Sequence, residues 1–95
     1  MIKTDLTQAN AELKRQVLKY LIPAFREKDI VEMTGLSAST IGYYRRTDKI
    51  TTYQTKHKQY IEIAMADIED TEIKNREYAA DMVMDMLQRN GMSYG

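Results

Sequence analysis

The side chains best suited to chemistry lie between residues 27 and 50, which read EKDIVEMTGLSASTIGYYRRTDKI. Small and polar residues are interspersed there with tyrosine and arginine, and this stretch contains neither histidine nor cysteine. Arginine can donate two hydrogen bonds to guanine, small side chains allow close approach to a base edge, and tyrosine can donate to a phosphate. The combination favours recognition of a nucleic acid by hydrogen bonding over the making or breaking of bonds.

A glycine at position 35 predicts the turn that must position these side chains. Glycine readily takes the positive φ that a tight turn between two short helices requires. Ile41 and Tyr44 lie three residues apart and would share the inner face of the second helix. We therefore predict helices over residues 23–33 and 37–46, with the turn at Thr34–Leu36.

The opposite face of helix 37–46 is small and polar, with an aromatic residue and an arginine at its far end. We expect Arg46 to reach a base or the groove and Arg45 to reach a backbone phosphate. The candidate DNA-binding residues are Ser37, Ala38, Ser39, Thr40, Gly42, Tyr43, Arg45 and Arg46 on this helix, and Lys28, Lys49, Tyr53, Lys56, His57 and Lys58 around it.

The segment GLSASTIGYYRRTDKI resembles the helix-turn-helix signature of the MerR family, G-[VL]-S-x-x-T-[LI]-R-Y-Y-x-R-x-G-L-[LI]. The resemblance covers about a quarter of the chain. It implies a module that binds double-stranded DNA, in which Ser37 caps the recognition helix and Tyr43 and Arg46 contact DNA. The matching residues are Gly35, Leu36, Ser37, Thr40, Ile41, Tyr43, Tyr44, Arg46 and Ile50.

The chain departs from that family pattern at three places. Gly42 stands where the family has a DNA-contacting arginine, and Asp48 and Lys49 stand where it has Gly-Leu. The Gly-Tyr-Arg sequence of the family's wing is missing, although QTKHKQY at 54–60 keeps a basic stretch. The wing is therefore predicted to be absent or minimal, and the resemblance extends to DNA binding but not to metal or drug sensing.

Catalytic and metal-binding groups are not predicted. His57 is the single histidine, and its neighbours Lys56 and Lys58 favour a solvated or phosphate-contacting role over that of a general base. The carboxylates at 62–72 form no ligand array with a histidine, and the four glycines form no phosphate-binding loop. We expect no enzymatic activity, no cofactor and no evident small-molecule ligand.

Charge is distributed unevenly along this chain of zero net charge. Residues 1–58 hold eleven of the fourteen basic side chains, whereas residues 59–95 hold eight of the fourteen acidic ones. The basic half is suited to a polyanion, and the acidic half should point away from it. The chain has no cysteine, no apolar run of about 20 residues and no apolar leader at its start, so we expect a cytoplasmic protein with no membrane partner.

The hydrophobic periodicity predicts an all-α fold in two parts. Residues 1–55 would form the DNA-binding domain, an N-terminal helix followed by the helix-turn-helix, and residues 56–95 a helical dimerisation region. The N-terminal helix is predicted over residues 7–22 with Thr7 as its cap, and Pro23 begins the next helix. Residues 47–55 are predicted to form an extended loop or a minimal wing, and residues 56–90 are predicted to be helical up to a stop at Asn90–Gly91. A break near Glu69–Thr71 is also compatible with the pattern, because apolar residues are sparse there.

The last predicted helix is apolar around most of its circumference between residues 79 and 87. Such a helix is buried on more than one side, and the simplest partner is a second copy of the chain. The predicted homodimer interface is Tyr78, Met82, Val83, Met86 and Leu87. The alternative is that the helix folds back and buries these residues within one chain.

These observations favour a dimeric, sequence-specific DNA-binding protein that controls transcription. Two alternatives remain open. The chain could be the DNA-recognition subunit of a phage-type packaging or replication complex, in which case many subunits would assemble into a ring. It could also be a protein-interaction module that uses a helix-turn-helix scaffold, in which case it would lack affinity for DNA.

Overall fold

The structure is a computed structural model that describes residues 4–55 and 68–91, with the backbone alone for residues 68–74. Its helices are α1 (Ala11–Leu21), α2 (Glu27–Thr34), α3 (Ala38–Thr47) and α4 (Ile68–Arg89), and residues 53–55 are also helical. No strand occurs in the described part of the chain. The predicted all-α class is confirmed.

The first helix begins after Asn10, whose side chain accepts a hydrogen bond from the Leu13 N–H at 2.9 Å. The prediction that Thr7 caps this helix is wrong. Thr7 instead donates its N–H to the Asp5 carboxylate at 2.9 Å, so its hydroxyl and backbone belong to a local turn before the helix. Two N–H groups of residues 4–6 bond to the C-terminal end of α2, Leu6 donating to the Thr34 carbonyl at 2.9 Å.

Pro23 lies after α1 and not in the first turn of α2, which corrects the predicted helix start. Proline has no N–H to continue the ladder of the preceding helix. The N–H groups of Ala24 and Phe25 both bond to the Leu21 carbonyl, at 3.1 and 2.9 Å, and close a turn. The chain therefore reverses before α2 begins at Glu27.

The segment after α3 has no strand between residues 48 and 55, in agreement with an absent wing. It is helical at residues 53–55, however, so the prediction of a non-helical segment extending to Thr55 is wrong there. The hydroxyl of Thr52 accepts the Thr55 N–H at 3.3 Å, which is the hydrogen bond of a helix cap. The predicted helical pattern at 56–67 lies outside the described residues.

The helix α4 begins at Ile68 and is continuous through residues 69–71, and the residues before Ile68, where a nearby break would fall, lie outside the described part of the chain. The sequence EDT at these positions has no apolar side chain to bury, but it also has no glycine or proline, so the backbone can remain helical. The helix ends at Arg89, and Gly91 has a φ of 69°. The predicted stop at Asn90–Gly91 is confirmed.

One hydrophobic core joins the two predicted domains. The last helix packs against α1, and buried side chains of both helices belong to the same cluster as those of α2 and α3. Its buried members are Leu6, Leu13, Val17, Leu18, Leu21, Ile22, Ile30, Met33, Leu36, Ile41, Val83, Met86 and Leu87. In the described residues, the predicted boundary at residue 55 does not separate two cores.

Candidate nucleic-acid interface

The turn between α2 and α3 is held by a glycine and a buried threonine. Gly35 has a φ of 73°, and its N–H donates to the Val31 carbonyl at 2.9 Å. Thr34 is 1 % exposed; its hydroxyl donates to the Ile30 carbonyl at 2.7 Å and accepts the Leu36 N–H at 3.2 Å. The positive φ predicted for Gly35 is confirmed, whereas the sequence pattern gave no sign of the role of Thr34.

Ser37 caps α3, as the resemblance implied. Its hydroxyl accepts the Thr40 N–H at 3.2 Å and lies 3.0 Å from the Thr40 hydroxyl. The helix starts in a defined direction because one of its first free N–H groups is satisfied by this side chain. Both hydroxyls are consequently already engaged at the N-terminal end of the candidate site.

The inner and outer faces of α3 are divided as predicted, except at Gly42. Ile41 is buried, and Tyr44 is half-buried against the core. Tyr43 is 56 % exposed on the outside, and its ring meets that of Tyr44 edge-on with 5.2 Å between centroids. Of the other candidate residues on this helix, Ala38, Ser39, Arg45 and Arg46 are exposed, and Thr40 is half-buried.

Gly42 differs from the other residues predicted on the outer face because it is buried. A Cβ at this position would lie 3.2 Å from an Arg46 terminal nitrogen. The Arg46 side chain therefore lies back over Gly42, one helical turn away. A ligand that approaches this part of α3 would meet the guanidinium before it met the glycine backbone.

Asp48, a departure from the family pattern, links the end of α3 to α1. Its carboxylate accepts two hydrogen bonds from Arg15, from Nε at 3.1 Å and from a terminal nitrogen at 2.7 Å. The hydrogen bonds and the charge of Asp48 raise the pKa of Arg15. Lys49, the next residue, is exposed and has a φ of 52°, which lies in the left-handed region of the backbone.

Exposed cations lie on α3 and in the segments before and after it. Lys28 on α2 and Lys49 after α3 are exposed, as are Arg45 and Arg46. No carboxylate in the described residues forms an ion pair with either arginine of α3, whereas Arg15 is paired with Asp48. The candidates Lys56, His57 and Lys58 lie outside the described residues.

Tyr53, one of the candidate phosphate contacts, is buried. It is 9 % exposed, and its N–H donates to the Ile22 carbonyl at 3.1 Å. The guanidinium carbons of Arg26 and Arg76 lie 5.8 and 5.3 Å from the centroid of its ring. These are cation–π distances, so the ring ties residues 53–55 to the end of α1 and to α4.

The predicted dimer interface is mostly used within the chain. Val83, Met86 and Leu87 are 1 %, 7 % and 0 % exposed in the shared core, which leaves little of their surface for a second copy in this conformation. Met82 is half-buried. Tyr78 is 60 % exposed and meets Tyr20 of α1 edge-on, with 6.2 Å between ring centroids.

Comparison with protein families, curated proteins and solved structures found no match to this chain. Within the described residues, no group of three acidic, histidine or cysteine side chains is placed to hold a metal ion. No described helix has both the length and the apolar character needed to cross a bilayer. Evidence on function therefore comes from the geometry of α3 and its surroundings.

Proposed function

We propose that the protein binds double-stranded DNA in a sequence-specific manner and controls transcription, with α3 in the major groove. The observation that carries this proposal is the outer face of α3. It exposes Tyr43, Arg45 and Arg46 beside small residues, and neither arginine has a carboxylate partner among the described residues. An α-helix fits the major groove, where arginine pairs with the O6 and N7 acceptors of guanine.

Each exposed side chain has a distinct task in this arrangement. Arg46, whose guanidinium lies over Gly42 on the outer face, reads a base when it extends into the groove. Ala38 and Ser39 are small enough to let the helix approach base edges. Tyr43 and Arg45 lie on the two flanks of that face and contact the backbone of the duplex, which sets the register of the helix.

Replacement of Arg46 tests the proposal directly. Arg46→Ala should lower affinity for a preferred site by about 1–3 kcal/mol and reduce discrimination at one base pair. Arg89→Ala is the matched control, because it removes the same charge from α4, where Arg89 is paired with Asp85. Affinities would be measured by fluorescence anisotropy on sites selected from genomic fragments.

The outcomes of this experiment separate the parts of the proposal. An equal loss on every sequence would make Arg46 a phosphate contact and remove its base-reading role. Failure of the wild-type protein to bind any genomic fragment at low salt would contradict DNA binding altogether. Binding that weakens with salt along a slope of about −5, for some six neutralised phosphates, is expected for the wild-type protein.

Binding as a homodimer is the second part of the proposal. Tyr78 and Met82 are the residues of the predicted interface that the shared core leaves accessible in whole or in part. Two copies would place their α3 helices about 34 Å apart on an inverted repeat. Sedimentation with and without a DNA site measures this directly.

A further inference from the structure

A small cleft lies beside α3, between the start of α2 and residues 52–54. Its volume is about 90 Å³, and its walls include the apolar side chains of Ile30 and Ile41. Two arginines from different elements line it, Arg26 before α2 and Arg45 on α3. Arg26 was not among the residues that the sequence indicated, because nothing in the local pattern places it next to α3.

The two arginines are held at the cleft and remain available to an anion. Arg26 lies against the buried ring of Tyr53 at 5.8 Å, and Tyr53 also lines the cleft. Arg45 projects from the rigid helix α3 on the side that faces α2 and residues 52–54. Both side chains are exposed, and neither forms an ion pair with a carboxylate in the described residues.

We propose that this cleft binds one backbone phosphate of the duplex that α3 reads, and that Arg26 and Arg45 hold the same phosphate. The inference rests on the proposed function. A cleft with a volume near 90 Å³ has room for a group of the size of a phosphate. The apolar walls lower the local dielectric and strengthen hydrogen bonds between guanidinium and phosphate.

A carboxylate on the same cleft provides a test for a bound phosphate. Glu27 lines the cleft, is exposed, and forms no ion pair with either arginine. A negative charge next to a bound phosphate opposes binding. Glu27→Gln should therefore tighten DNA binding by several-fold at low salt. Glu32→Gln, at an exposed position further along α2, is the matched control and should change affinity less.

Substitution of the two arginines tests whether they share a ligand. Arg26→Gln and Arg45→Gln should each lower duplex affinity about ten-fold near 0.1 M salt and reduce the salt slope by about 0.9. The double variant should lose little more than either single variant, because the phosphate is held only when both guanidinium groups are present and the same contact is lost in all three. Arg89→Gln is the charge-matched control, and circular dichroism verifies that each variant is folded.

A scan of the DNA backbone identifies the phosphate. Neutral methylphosphonates would be introduced one at a time into a bound duplex, and affinity measured for the wild-type protein and the double variant. The expected result is one position at which the wild-type protein loses about ten-fold in affinity and the double variant loses none.

The remaining outcomes overturn the inference in distinguishable ways. Wild-type binding without such a position, or additive losses from the two arginines, would reject the shared phosphate and leave the proposed function intact. A wild-type protein that binds no duplex would reject both. A Glu27→Gln variant that binds DNA more weakly than Glu32→Gln would also contradict the site. The Glu27 carboxylate would then position the arginines and would not oppose a bound phosphate.

Discussion

Gly35 determines the direction in which α3 leaves α2, because it ends α2 in the left-handed conformation with a φ of 73°. The space around it is adequate for a larger residue. A Cβ there would lie 3.6 Å from an Asp5 carboxylate oxygen and 3.7 Å from a Thr7 methyl group, which are ordinary contact distances. The cost of a substitution therefore comes from the backbone conformation and not from a clash.

Gly35→Val should lower the free energy of unfolding by about 1–3 kcal/mol, because a β-branched residue is strained in the left-handed region. Gly35→Asn is the control, since asparagine tolerates that region better and adds a side chain of comparable size. Urea denaturation followed by circular dichroism measures both. Equal loss in the two variants would show that contacts with Asp5 and Thr7 decide the cost.

Features set by a few neighbouring residues could be predicted from the sequence. The turn at Gly35, the cap at Ser37 and the inner position of Tyr44 all depend on residues within one or two helical turns. The burial of Tyr53 depends instead on Arg76, which lies on another helix and contributes from a distant part of the sequence. No local pattern contains that information, so the sequence placed Tyr53 among the candidate phosphate contacts and did not indicate its burial.

At the scale of elements, helix type could be predicted, whereas some helix boundaries could not. The start of α1 was misplaced because Thr7 and Asn10 are both good caps, and Thr7 is already bound to Asp5. Hydrogen bonds from Thr7 also lower the pKa of the Asp5 carboxyl, an interaction that precedes the helix. Competition between two similar caps is decided by tertiary contacts, here those between residues 4–6 and the end of α2.

The contacts of Arg76 show how α4 supports the elements around α3. Its Nε donates to the Ala24 carbonyl at 3.2 Å, and its guanidinium lies over the rings of Phe25 and Tyr53 at 5.8 and 5.3 Å. One side chain of α4 thus fixes both the turn before α2 and the helical residues after α3. The walls of the cleft beside α3 depend on this contact because Tyr53 is one of them.

Arg76→Ala should lower the free energy of unfolding by about 1–3 kcal/mol, since it removes one charge-assisted hydrogen bond and two cation–π contacts. Arg76→Lys should recover only part of the loss, because an ammonium cannot present the planar guanidinium to a ring. The neighbouring exposed residue provides the control Glu77→Ala, which should stay within about 0.5 kcal/mol of the wild type. Equal stability of the Arg76 and Glu77 variants would contradict the role assigned to Arg76.

At the scale of the whole molecule, the apolar character of α4 is explained within one chain. The sequence indicated that more than one side of this helix is buried, and two readings were open. The structure buries Val83, Met86 and Leu87 against α1, while Tyr78 stays exposed. Amphipathicity alone could not choose between these partners, because an apolar face has the same sequence whether it covers its own core or a second copy.

The two kinds of position on α4 should respond differently to substitution. Leu87→Ala should cost about 2–5 kcal/mol of unfolding free energy, since Leu87 is fully buried, yet it should leave the oligomeric state of the folded protein unchanged. Tyr78→Glu should change stability little, and if Tyr78 lies in a dimer interface it should convert the dimer to monomer. Sedimentation at tens of micromolar and urea denaturation measure the two effects separately. A Leu87→Ala protein that becomes a folded monomer would place Leu87 between two copies and contradict its packing against α1. A wild-type protein that sediments as a monomer with and without DNA would contradict the dimer proposal but not the core within the chain.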